Sequence, residues 1–77
     1  MIANLDYGLL YCDDKEVFYA ELMCNDEQWG EIILSNDNGE PMITMWECNF
    51  TVPTKMLTDF VSKASEHLKE FEQSKQD

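Results

Sequence analysis

The sequence predicts an α+β fold: a four-stranded antiparallel β-meander over residues 1–52, followed by one C-terminal amphipathic α-helix over 53–74 packed on one sheet face. Three observations predict it. Apolar and polar residues alternate with a period of two through most of the first 52 positions, as half-buried strands require. Polar turn clusters interrupt that alternation at short intervals, so successive strands must double back as antiparallel neighbours. Beyond Pro53 the apolar spacing changes to three and four, the repeat of a helix. The 77 residues form a single domain, 1–77, because that length supplies one modest core.

The first strand spans 3–12, with Ala3, Leu5, Tyr7, Leu9 and Tyr11 on one side and Asn4, Asp6 and Gly8 on the other. Asp13-Asp14-Lys15 makes a polar turn. The second strand runs over 16–24 with Phe18, Ala20, Leu22 and Cys24 on its more apolar side, and a turn follows over Asn25–Gln28. Trp29 to Ser35 is the third strand. Asn36 to Pro41 holds the strongest turn signal, because Asn38-Gly39 supplies the positive φ angles of a tight hairpin. The fourth strand covers Met42 to Cys48.

Pro53 is the expected first helical residue, where its missing N–H would be unpaired anyway. Leu57, Phe60, Val61, Ala64, Leu68 and Phe71 then form the apolar stripe, and residues 75–77 a frayed tail. Beneath this stripe the alternation places Leu5, Tyr7, Leu9, Phe18, Ala20, Leu22, Ile32, Leu34 and Trp46.

Sixteen carboxylates against five lysines, with no arginine, give a net charge of −11. Phosphate binding needs Lys and Arg to displace counterions, so the sequence predicts no direct contact with nucleic acid or an anionic membrane. The acidity is lopsided. Residues 1–52 carry a net of −10, whereas 53–77 hold five acids and four lysines and are nearly neutral.

Three cysteines without C-x-x-C spacing (Cys12, Cys24 and Cys48) fit neither a disulfide framework nor a zinc site. The opening Met-Ile-Ala-Asn-Leu-Asp has no basic stretch and no long apolar run, so a cytoplasmic protein without signal peptide or membrane span is expected.

Chemistry-bearing constellations are sparse. His67 flanks the helical stripe with no Ser or Cys at a recognisable spacing, which makes it a boundary packing residue rather than a base. The loop at 36–40 departs from the EF-hand register, with Leu34 where an Asp ligand belongs. No phosphate-binding glycine loop is present, and no cofactor or metal is expected.

Glu21, Glu31 and Glu47 stand apart from the turn acids because they interrupt strands. Alternation predicts that they share the sheet face away from the helix with Tyr19, Trp29, Ile33, Ile43 and Met45, unless a bulge scatters them. Aromatic and Met side chains beside carboxylates suit a contact surface for a basic partner. The alternative is a solvated face on which Glu confers solubility only.

The candidate binding set is therefore Glu21, Glu31 and Glu47, which with the turn acids Asp13, Asp14, Asp26 and Glu27 would stand in for phosphates, and Tyr19, Trp29 and Met45, which would supply the desolvated contact. In size and charge the chain is similar to the small proteins that phages use against restriction or CRISPR systems, and to immunity proteins of nuclease toxins. That similarity carries over no site residue. It implies a non-enzymatic inhibitor masking the basic surface of a nuclease or other nucleic-acid-binding protein. The competing expectation is an accessory subunit or adaptor that associates through apolar helix or edge-strand contacts, its acidity serving solubility only. Separately, a homodimer would supplement the small core.

Overall fold

The structure, a computed structural model, describes residues 4–46 and 49–76. Four strands, β1 (Leu5–Cys12), β2 (Val17–Cys24), β3 (Glu27–Leu34) and β4 (Pro41–Met45), form one antiparallel sheet in the order β1-β2-β3-β4. Helix α1 (Thr54–Gln76) packs across β1, β2 and β3. This is the expected meander with a C-terminal helix on one face. The Pro53 carbonyl accepts the Leu57 N–H at 3.2 Å, so Pro53 sits one position before the first helical residue. The helical backbone continues through Gln76, past the predicted end at 74.

The turns differ in detail from expectation. The connection between β2 and β3 is only Asn25-Asp26, both at positive φ (51° and 70°), while Glu27 and Gln28 already belong to β3. Asn and Asp tolerate that conformation, and a two-residue hairpin turn demands it twice. Between β3 and β4 the loop is longer. Gly39 sits at φ 73° and donates to the Ser35 carbonyl, while the Asn38 side chain accepts the Glu40 N–H at 2.9 Å.

Ala20, Leu22, Cys24, Trp29 and Ile32 from the sheet, with Ala64 and Leu68 from α1, make the buried core among the described residues. Leu5, Tyr7, Leu9, Phe18 and Leu34 pack around it, as the alternation predicts. The two tryptophans are exchanged relative to expectation. Trp29 is 3% exposed and meets Phe50 and Phe60 edge-on or tilted at 5.2 and 6.4 Å between ring centres, whereas Trp46 is 43% exposed.

A β-bulge accounts for the first exchange. Leu22 pairs with Gly30 and Met23 with Gln28, which leaves Trp29 as the extra residue and turns its indole towards the helix. Gly30 serves the same spot, because a Cβ there would stand 2.7 Å from the Thr44 carbonyl oxygen. The second exchange follows from the β3–β4 register. Leu34 faces Pro41 and Ile32 faces Ile43, so the odd-numbered residues of β4 share the helix side of the sheet.

Candidate functional site

The face away from α1 is built from alternate residues of all four strands, brought side by side by the register. One transverse row reads Gly8, Glu21, Glu31, Thr44, and the next reads Leu10, Tyr19, Ile33, Met42. Asp6, Met23 and Gln28 make a third row. Trp46 closes that side, its indole N–H donating to the Gln28 carbonyl at 3.1 Å and its backbone N–H to the Trp29 carbonyl.

Glu21 and Glu31 are therefore direct cross-strand neighbours at the middle of the sheet. Their pair type can be derived. Trp46 donates to Trp29 and Ser35 to Glu40, so every second residue of β3, including Glu31, exchanges its backbone hydrogen bonds with β4. Towards β2, Glu31 then belongs to a non-hydrogen-bonded pair, the closer kind, with Cα atoms about 4.5 Å apart. Two carboxylates so placed destabilise the sheet, because like charges directly opposite repel.

Tyr19 lies diagonal to this pair. Burial pushes its phenol above the ordinary value, and the neighbouring Glu21, Cys12 and Glu31 push in the same direction. A shallow depression of about 270 Å³ runs over this face, its lining including Lys15, Val17, Tyr19, Glu31, Ile33 and Trp46.

Of the residues singled out in the sequence, Tyr19, Glu21 and Glu31 come together here. Trp29 does not, because the bulge moves it into the core. Met45 and Ile43 do not either: both lie on the helix side of β4, in place of Trp46. Glu47 lies outside the described residues. Asp13 and Asp14 occupy the β1–β2 turn at one end of the sheet, and Asp26 and Glu27 the opposite end, so the turn acids flank the face rather than join the pair. The bulge falls between Glu31 and the start of β3, which is why it leaves the glutamate pairing intact.

Missed in the sequence were Met42 and Trp46 on this face. Within residues 42–46 both alternating sets of the fourth strand are largely apolar (Met42, Thr44, Trp46 and Ile43, Met45), so the expectation leans on Glu47, which points the odd-numbered set outward. The usable signal was the loop: pairing Leu34 with Pro41 across it fixes which set faces the helix.

His67 bonds through Nδ1 to the hydroxyl of Tyr7, whose ring stacks edge-on against Phe60 at 5.6 Å. That ties the helix to β1 and makes His67 a packing partner at the sheet margin. Burial raises the Tyr7 phenol, with Asp6 adding to the shift. Searches against protein-family models, curated proteins and solved structures found no match to this chain, so the site is defined by its own geometry.

Proposed function

We propose that this chain is a non-enzymatic, acidic protein-binding module whose outer sheet face masks a basic surface of a nucleic-acid-handling protein. One observation carries the reading. Glu21 and Glu31 face each other in a close cross-strand pair on a face that α1 leaves open, where like charges directly opposite weaken a sheet. A cationic partner surface would relieve that repulsion, and Tyr19, Ile33, Met42 and Trp46 around the pair supply apolar contact area of the kind found at interface centres. The −10 net charge of residues 1–52 would steer a basic partner from a distance.

The test is capture of binding proteins on the immobilised chain, with elution by salt or by a polyanion such as heparin. The expected result is nucleic-acid-binding proteins that leave at elevated salt, compete with heparin, and are lost in Glu21→Gln/Glu31→Gln. Capture that ignores both salt and the double substitution would overturn the acidic-face reading. It would favour the second one, an accessory subunit or adaptor held by apolar contacts. That reading has its own support in β4, whose Met42, Ile43 and Met45 are all exposed.

A further inference from the structure

We propose that β4 is a self-pairing edge: two copies of this chain join β4 to β4 antiparallel about a two-fold axis at Ile43, forming one continuous eight-stranded sheet. The hydrogen-bonding lattice is self-complementary. Met42, Thr44 and Trp46 direct their backbone groups to β3, so Pro41, Ile43 and Met45 direct theirs outward from the sheet edge. Centred on Ile43, the two strands exchange N–H···O=C bonds between the Ile43 residues. Each Met45 N–H meets the Pro41 carbonyl of the other copy. The missing N–H of Pro41 removes only the outermost bond at each end.

Charge selects this edge. Among the described strands β4 alone has no Asp or Glu within it, although Glu40 stands just before it, whereas β1, at the other edge, carries Asp6 inside the strand and runs into the acidic turn Asp13-Asp14. In the paired sheet the two Glu31 residues are separated by three strand spacings, about 14 Å. That exceeds the screening length of about 8 Å at physiological salt. The repulsion left at this edge comes from Glu40, beside Pro41, and from the net charge of −11 on each chain, both of which salt screens.

The side chains agree. Met42 (53% exposed), Ile43 (40%) and Met45 (58%) are open on both sides of β4. Edge strands are usually guarded by charge, and β4 carries none within Pro41–Met45, leaving its shortness, Pro41 and the adjoining Glu40. In the dimer Ile43 packs on Ile43, and Met45 reaches Pro41 of the other copy. Both outer faces then lie on the same side of the joined sheet, which doubles the length of the acidic surface.

Analytical ultracentrifugation of the full chain over a concentration series tests this, paired with amide hydrogen exchange. A species of twice 9.0 kDa is expected. Its Ile43 and Met45 amides should be protected, although they point away from β3. Dimerisation should strengthen as salt rises from about 0.01 M to 0.15 M, because the Debye length falls from about 30 Å to 8 Å. That trend is opposite in sign to the one expected for binding of a basic partner.

Ile43→Lys should leave a folded monomer, as judged by circular dichroism, and Glu21→Gln/Glu31→Gln should leave the dimer intact even if the acidic-face reading fails. A monomer at every concentration would overturn the proposal. So would a dimer that survives Ile43→Lys with its Ile43 and Met45 amides unprotected, since that would place the contact on another surface.

Discussion

Ile32 and Ile33 are neighbours in β3, yet Ile32 is 1% exposed beneath α1 while Ile33 lies in the partly open row with Tyr19 and Met42. The same contrast runs across the sheet. The helix side of β1–β3 gathers Leu22, Ala20 and Ile32 against Ala64 and Leu68, and the outer side sets two carboxylates among apolar residues. Side-chain type only partly separates the two faces, since Tyr19, Ile33 and Met42 lie on the outer one; coverage by one helix makes the difference in burial. Where that coverage runs out, at β4, even the helix-side residues Ile43 and Met45 are exposed. A fold this small thus places its buried core, among the described residues, on one face and leaves the other partly open.

The largest expected effect breaks the covered face. Ile32→Ala should cost about 2–5 kcal/mol, through lost transfer energy and a cavity. A core of this size supplies only about 3–5 kcal/mol, so the variant should be largely unfolded in a denaturant titration. Ile33→Ala should cost at most about 1 kcal/mol in the same assay. Equal losses would mean that the outer face is also packed, and the contrast between faces would fail.

Gly30→Ala comes next. Its Cβ would press on the Thr44 carbonyl, a backbone atom that cannot swing aside, so β3 and β4 must part or shift. A loss of about 1–3 kcal/mol is expected, with faster hydrogen exchange at Thr44 and Trp46. An unchanged denaturation midpoint would show that the close approach is not a constraint.

Glu21→Gln acts in the opposite direction. Removing one of two opposed carboxylates should raise stability by about 0.2–1 kcal/mol, most clearly at low salt. Stabilisation together with loss of partner binding would mark the outer face as shaped for contact rather than for folding. A destabilised variant would contradict the opposed-pair geometry.

The smallest effect concerns Tyr19. Its phenol is raised in the folded state, so the neutral form is favoured there. The associated stability is full below the ordinary tyrosine pKa of about 10 and is lost as pH climbs through the raised folded value. Ultraviolet titration should show two phenols ionising late, Tyr7 and Tyr19, and Glu21→Gln should bring only the Tyr19 one part of the way back. A titration unmoved by that substitution would separate Tyr19 from the glutamate pair.

The amino-acid sequence by itself determined the strand order, the antiparallel doubling back, the single helix, and eight of the nine residues assigned beneath it, because period and turn chemistry are local properties. It also determined that Tyr19, Glu21 and Glu31 share a face, since simple alternation on two adjacent strands suffices for that. What only the tertiary structure decided lies where register is set by neighbours. The bulge that turns Trp29 inward lies where β3 shifts register against Leu22 and Met23 of β2, beside the close approach of Gly30 to Thr44. The face assigned to β4 depends on pairing across a six-residue loop, in a strand apolar on both sides, where hydrophobicity carries no information about direction. A one-residue slip reverses every side chain of a strand. Composition therefore identified the surface-forming residues in general, and hydrogen-bond register alone sorted Trp29 from Trp46.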